Sequence, residues 1–541
     1  MGEPVLVCLA WPYANGSLHL GHVAGVYLPG DIFARFQRLR GNDVLMVSGS
    51  DCHGTPITVR AEQEGRSPRD VAEQFHQEFL ETWRQLGVSF DLYTSTMTEN
   101  HRRVVHDIFL RLLERGHLFR DTMLAPYCEL ERRFLPDRYV VGTCPHCGFG
   151  DARGDQCDNC GRPLSATELR EPRCRFDGST PVIRETEHFF LDLRHFNAPL
   201  LEWVRRQGHW RPNVLNFTLG LLEQGLLPRP ITRDLEWGVT VPVEGFENKR
   251  IYVWFEAVIG YLSASMEWAQ RQGDPEAWRR WWQGEGRSYY FIGKDNIPFH
   301  TIIWPAMLMG YGGLNLPYDV PANEYLTLEG RSFSTSRNWA VWVPEFLKQY
   351  DPDPLRYALA VNMPETSDAD FSMREFVRRN NDELVATWGN LVHRTLTFLQ
   401  RYFDGRAPEG SSEPVVVERL DDTFQRVTDH LEHCRFKDGI REVMALAQEG
   451  NRYFDERAPW RQVKEDRAAA ATTMATLLHL INGLKVLTYP YLPFSAMRLH
   501  GLLGYADDLL AHGWRAERVP VGQALPQPTP LFTKLDVGTA A

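Results

Sequence analysis

The sequence predicts an α/β chain: a doubly wound parallel sheet, split by a metal-binding insertion and followed by an all-α bundle. Three observations carry this. Apolar, strand-like runs closing on polar turns alternate with helical periodicity both near the start of the chain and again around residues 287–310. A cluster of four cysteines lies between those two stretches. After Met373 glycine becomes sparse and apolar residues recur at helical spacing. At 541 residues the chain is too long for one core, so two to four domains are expected.

The opening "PVLVCLAWPYANGSLHLGHVAGVYLPGDIFARFQRLRG" reads as a strand, a glycine-bearing turn, and a helix from about Leu20 to Arg40. Its apolar positions, Val23, Val26, Tyr27, Ile32, Phe33, Phe36 and Leu39, fall near helical spacing. "NDVLMVSGSDCHGTP" follows as a buried strand ending at Asp51. In a strand–helix–strand unit of this Rossmann-like type, ligands sit beyond the C-terminal strand ends. Asn15, Gly16, His19, Gly21 and His22 then lie at a helix N-terminus, where free N–H groups and the dipole attract phosphate. The same signature returns in "RSYYFIGKDNIPFHTIIWPAMLMG", with Lys294, Asp295 and Asn296 at a strand end and His300 on the next helix.

The insertion holds "CPHCGFGDARGDQCDNC", which places Cys144, Cys147, Cys157 and Cys160 as two C-x2-C pairs. Two such pairs close a tetrahedral thiolate shell, so one structural Zn²⁺ is expected, disulfides being the alternative. Cys128 with Glu131, and Cys174 with Asp177, show the same gap with one Cys of each pair replaced by a carboxylate. Carboxylates are harder ligands than structural zinc favours, and this second set is expected to be empty.

Composition is that of a soluble globular chain, 43% hydrophobic and 24% charged. No apolar run reaches the roughly 18 residues of a membrane span, and no basic-then-apolar leader opens the chain. No membrane partner and a cytoplasmic location are therefore expected. The net charge of −11 argues mildly against nucleic acid, although a local basic face would suffice.

"PYANGSLHLGH" together with the later loop "SFSTS" resembles the two signatures of class I aminoacyl-tRNA synthetases, HIGH and KMSKS. "GSDCHGTP", "FLPDRYVVGTCPHC", "ITRDLEWG", "YVWFEAVIGY", "FIGKDNIPFHTIIWPAML" and "RAPW" resemble the methionyl-tRNA synthetase family, archaeal-type branch, from about residue 5 to about 500. The resemblance implies a methionine–tRNA ligase that uses ATP with Mg²⁺, L-methionine and tRNA(Met). It implies that Asp51 receives the methionine ammonium, and that Trp11 and Tyr261 meet the sulfur. Tyr13, Trp254, Ala257 and His300 would wall that pocket. Asn15, Gly16, His19, Gly21, His22, Asp295 and Thr335 would bind ATP. Catalysis would fall to His19, His22, Lys294, Arg331, Ser334 and Ser336. In the helical part, Asn390 and Arg394, four residues apart on one face, and Trp460 after a proline would read the anticodon.

The family layout implies a split Rossmann-like domain over 1–116 and 233–323, a zinc-bearing connective insertion over 117–232, and a stem-contact region over 324–372. A helical anticodon-binding domain over 373–520 and a tail over 521–541 complete it. No appended tRNA-binding or dimerisation module is expected, and the protein is expected to be a monomer. Three positions depart from the family pattern. Ser332 stands where the KMSKS loop has its first Lys, leaving Arg331 and Arg337 as the nearby cations. Glu256 and Val258 stand where the family usually has Asp and Pro, which reshapes the methionine pocket. Losing one transition-state charge donor costs roughly 3–4 kcal/mol, so a slower enzyme leaning on Arg331 is expected. The rivals are a tRNA-binding paralog without catalysis, and an adenylate-forming paralog with another amino acid or acceptor.

Overall fold

The structure is a computed structural model that describes residues 2–154, 157, 159–160, 162, 164–333 and 339–536. Five parallel strands form the central sheet: β1 (Pro4–Leu9), β2 (Asp43–Ser50), β3 (Leu92–Ser95), β4 (Arg287–Gly293) and β5 (Ala322–Asn323). Their order is β5-β4-β1-β2-β3, and β1 pairs with β2 on one side and β4 on the other. The chain therefore changes direction across the sheet between β1 and β4, which opens the ligand crevice of a doubly wound fold at that point. β1 is buried along nearly its whole length, as a strand covered on both faces must be.

The first crossover is a continuous helical run through Leu20–His22, Val23–Tyr27 and Leu28–Leu39, whose middle piece is wound wider than an α-helix. Wider turns of this kind recur at Phe299–Ile303, around His300, and at Asn380–Gly389, immediately before Asn390. Such bulges gather at functional sites, because they re-aim side chains that a regular helix would place elsewhere.

Between β3 and β4 the chain leaves the sheet. A long antiparallel hairpin, Leu118–Cys128 against Val182–Leu191, carries at its tip a small three-stranded sheet, Val140–Thr143, Ala152–Arg153 and Arg170–Cys174. This knuckle has its own apolar core, in which Leu135, Tyr139, Val140, Ala152 and Leu169 pack around the cysteines. Val59, from the helix Thr55–Glu64 that follows β2, joins that core.

After β5, the strands Leu326–Leu328, Arg331–Ser332 and Ala369–Phe371 form a second small sheet. Glu329 and Gly330, both at positive φ, make the two-residue turn that right-twisted hairpin strands favour. The helical domain follows, and Phe376, Leu384, Trp388, Leu391, Val392, Leu396 and Leu399 are all buried, as their spacing predicts. Its central helix, Arg467–Thr488, is long and apolar enough to cross a membrane, but 94% of that window is buried inside the bundle. Residues 521–536 pack back onto the bundle through Leu525, Leu531 and Phe532, and Leu535 exchanges hydrogen bonds with Asn381. One apolar core runs without a break from a face of the sheet into the bundle.

Candidate active site

At the end of β1 the backbone turns through Trp11–Ser17 and enters the first helix. The indole of Trp11 lies where a Cβ on Gly49 or Gly260 would be, at 2.5 and 2.8 Å. Only glycine at both positions admits the ring. Tyr13 covers Gly54 in the same way, at 2.5 Å.

His19 and His22 stack at 3.8 Å, and Phe333 stacks on His19 at 4.8 Å with the rings 4° from parallel. Gly21 sits beneath, and a Cβ there would lie 3.0 Å from the His19 ring. The His19 backbone N–H donates to Nδ1 of His22 at 3.2 Å, which leaves the His22 proton on Nε2. Burial holds both rings neutral, His22 down to about 4 and His19 well below its ordinary value. They are therefore placed as neutral N–H donors. Phe333 also brings the start of the "SFSTS" loop against the helix N-terminus. Ser334, Thr335, Ser336 and Arg337 lie outside the described residues. Arg331 is exposed, with its guanidinium over Trp339 at 5.3 Å.

Asp51, at the end of β2, is 3% exposed. Its backbone is clamped by hydrogen bonds to Pro12 and Ala14, each 2.8 Å. Its carboxylate accepts only a 3.3 Å contact from the His53 N–H, and among the described residues no cation forms an ion pair with it. Burial, and then the charge of Glu256, push it well above the carboxylate range. A buried carboxylate without a cation is a site for one.

Beside it, Trp254 donates its indole N–H to the Tyr13 hydroxyl and meets Phe299 edge-on at 4.1 Å. Tyr261 donates to Nε2 of His300 at 2.8 Å, while Nδ1 of His300 donates to the Asn296 carbonyl at 3.0 Å. Burial brings His300 down to about 4, so the ring is neutral and accepts the phenol proton. Ala257 is half-buried on the same helix, Val253–Arg271.

Glu256, fully buried, faces His53 Nδ1 at 3.0 Å and His101 Nε2 at 3.4 Å. Burial would raise this carboxyl, but the two histidines outweigh it and hold it below its ordinary value. Val258 is 4% exposed and belongs to the core on that side of the sheet. At the end of β4, Lys294 pairs with Glu324 at 2.7 Å and Asp368 at 3.1 Å, and Asp295 stays exposed at the mouth. The structure thus joins Asp51 to Tyr13 and Tyr13 to Trp254, sets Trp11 against Gly260 on the helix that carries Tyr261, and pairs Tyr261 with His300.

The four knuckle cysteines carry ligand atoms all within 4.8 Å of one another. Cys144 and Cys160 sulfurs are 3.9 Å apart, and Cys147 and Cys157 sulfurs 3.6 Å. A tetrahedral zinc with bonds of about 2.3 Å needs sulfurs spaced this way, whereas a disulfide needs about 2.05 Å. The donor set fits Zn²⁺. Of the half-lost second set, Cys128, Cys174 and Asp177 come together, but Glu131 turns away to Arg133 at 3.2 Å.

In the bundle, Asn390 faces Asn451 at 3.3 Å, and Arg394 faces Asp455 at 2.5 Å one turn on. Arg394 also lies over Phe454 at 4.2 Å, and Trp460 stacks on Phe454's ring at 6.0 Å. Ala458, at φ +46°, breaks the helix before Pro459 and leaves Trp460 39% exposed. Sequence reasoning missed Phe454, Phe299, Phe333, His53 and His101. His53, Phe299 and Phe333 lie inside quoted motifs, while Phe454 and His101 carry no local signal.

A family profile described as "tRNA synthetases class I (M)" matches residues 5–396, and one described as "Anticodon binding domain of methionyl tRNA ligase" matches residues 405–539. A methionine–tRNA ligase of Thermomicrobium roseum is 56% identical over 568 residues, covering 99% of this chain and 97% of the relative. One of Dehalococcoides mccartyi is 57% identical over 540 residues, covering 99% and 98%. A solved Mycobacterium tuberculosis methionyl-tRNA synthetase bound by methionyl-adenylate shares the fold, with a TM-score of 0.82 at 24% identity over 98% of this chain and 100% of that one.

Proposed function

The chain belongs to the class I methionyl-tRNA synthetase family, and on that premise we propose how its own residues carry the methionine–tRNA ligase reaction. The observation that carries the reading is Asp51: a buried carboxylate that pairs with no cation among the described residues and whose backbone bridges to Tyr13. The methionine ammonium pairs with Asp51. Its thioether lies among Trp11, Tyr13, Trp254, Tyr261 and His300, a wall of polarizable rings that suits sulfur. Ala257 leaves space for the chain. With the Tyr261 proton committed to His300, the phenol oxygen is what faces the pocket, and the ring pair fixes pocket width.

ATP lies across the Asn15–Gly16 turn and Gly21, with its ribose at Asp295. The methionine carboxylate attacks the α-phosphorus, the bond to the β-phosphate bridge breaks, and pyrophosphate leaves. His19 and His22 donate N–H groups to the phosphate oxygens as charge shifts there. Mg²⁺ brought with ATP would offset phosphate charge there. Lys294, Arg331 and the loop residues Ser334, Thr335 and Ser336 complete the phosphate side. A ribose hydroxyl of tRNA(Met) then attacks the acyl carbon, and AMP departs.

Cys144, Cys147, Cys157 and Cys160 would hold one Zn²⁺, and their closed thiolate shell would leave it a structural role. Trp460 stacks on an unpaired anticodon base while Asn390 and Arg394 take base edges, Asp455 giving up Arg394 as the base arrives. We take the protein to act as a monomer in the cytoplasm, as the family resemblance implies; its one described helix of membrane-spanning length, Arg467–Thr488, is 94% buried.

Methionine-dependent ATP–pyrophosphate exchange tests the reading. The expected result is exchange with methionine, none with leucine, and a fall of about a hundredfold in Arg331→Ala if that residue replaces the missing lysine. Silence of the wild-type chain with methionine, while tRNA(Met) still binds, sinks the ligase reading and favours a binding paralog.

A further inference from the structure

Resting on the ligase reading, we propose that His101 is a positioning residue for methionine, which through Glu256 and His53 fixes the second carboxylate beside the Asp51 ammonium site. Asp51, His53, Glu256 and His101, none more than 9% exposed, form one hydrogen-bonded line. The backbone N–H of His53 reaches Asp51 at 3.3 Å, and Nδ1 of the same residue donates to the two oxygens of Glu256 at 3.1 and 3.0 Å. His53 therefore touches both carboxylates. On the other side of Glu256, His101 Nε2 lies 3.4 Å away, and His101 Nδ1 lies 2.9 Å from the Ser263 hydroxyl.

The donors along the line follow from what each group can give. Burial holds the His101 ring neutral, so it has a single N–H. Glu256, which burial alone would raise, is held ionised by the two histidines and can only accept. The His101 proton therefore sits on Nε2, facing Glu256, and Ser263 turns its one hydroxyl hydrogen to Nδ1 rather than to the Gly260 carbonyl at 3.0 Å. His101 comes from the helix Glu99–Glu114, whereas Glu256 and Ser263 come from Val253–Arg271, which also carries Tyr261. Asn100 adds a bond to the Ser263 carbonyl at 2.7 Å, and the His101 ring lies 6.0 Å from that of Trp11. The other acid whose charge bears on His101, Glu267, is occupied by Arg271 at 2.5 Å and Thr94 at 2.8 Å. Without the His101 N–H, Glu256 keeps His53 but presents more of its charge to Asp51. A neighbouring like charge disfavours the ionised form, so Asp51 would take the ammonium only at higher pH.

The test is calorimetric binding of L-methionine to the full chain as a function of pH, beside ATP–pyrophosphate exchange. His101→Asn keeps an amide for Ser263 but withholds one from Glu256, whereas His101→Gln places an amide nitrogen where Nε2 was. His101→Asn should move the binding profile up by about one pH unit, which is about tenfold weaker binding on its acid side, with the KM for ATP unchanged. His101→Gln should stay within about threefold of wild type. The double variant His101→Asn/Glu256→Gln should match Glu256→Gln alone, since His101 acts through that carboxylate. An unmoved or lowered profile in His101→Asn overturns the proposal, as does a Gln variant as impaired as the Asn one. A double variant worse than Glu256→Gln also overturns it, and this comparison decides alone if His101→Asn does not fold. If wild type is silent in exchange yet binds methionine with this pattern, the positioning role stands and the ligase reading falls. If exchange proceeds and the pattern is missing, the ligase reading stands and the role of His101 falls.

Discussion

Two aspartates of the sheet's crossovers are equally buried and do opposite things. Asp31 is fully buried and receives Arg35 at 2.9 Å, Arg356 at 2.6 Å, and both the N–H and hydroxyl of Ser89. Burial would raise its carboxyl, but the two guanidinium groups outweigh it and hold it far below its ordinary value. Arg356 in turn donates to the carbonyls of Tyr491 and Pro490, so this one charge cluster ties the first helix, the helix Pro352–Val361 and the bundle together. Asp51, at 3% exposure, has one weak N–H and a second carboxylate, Glu256, for company. A buried carboxylate given its cations is architecture. One denied them is a binding site.

The largest effect expected from breaking that contrast is at the junction. Arg356→Ala leaves Asp31 short of one cation in a dry interior and should cost about 3–5 kcal/mol, read as a fall in urea midpoint. Asp51→Asn should leave that midpoint unchanged or higher, since an uncompensated charge is removed, while methionine-dependent exchange falls by roughly two to three decades.

The pH dependences should run in opposite senses. Asp31 has its folded value below the unfolded one of about 3.9, so its stabilisation is present above roughly pH 4 and is lost as acid protonates it. Asp51 has its folded value raised, so its contribution is full below about pH 4 and is lost as pH rises through the folded value. An ammonium ligand reverses that loss. Methionine binding should therefore tighten with rising pH and release up to one proton, measurable by calorimetry in buffers of different ionisation enthalpy, and Asp51→Asn should abolish the release. The smallest effect is at Glu256→Gln, which removes the second carboxylate. The methionine pH profile should move to lower pH, with a few-fold change in KM near neutrality.

Local pattern made much of this legible. The C-x2-C pairs announced the knuckle because ligand spacing is a property of a short chain segment, and the structure closes the four sulfurs to tetrahedral distances. The stripe from Phe376 to Leu399 announced a buried helix face because helical period is local too. Glu256 was legible only as an unusual residue beside a pocket. That it faces His53 and His101 depends on bringing residues 203 and 155 positions apart into contact. Phe454 was silent for the same reason, an ordinary core-type residue until Arg394 and Trp460 are folded onto it.

The sequence by itself determined the strands, the turn that opens the first helix, the cysteine shell and the family, since each is written in contiguous residues whose chemistry is fixed by type and spacing. Only the tertiary structure decided which charges are paired. It gave Asp31 two arginines and, among the described residues, gave Asp51 none, and it laid Phe333 on His19. Charge pairing acts through space over a few ångströms, and distance along the chain does not encode it.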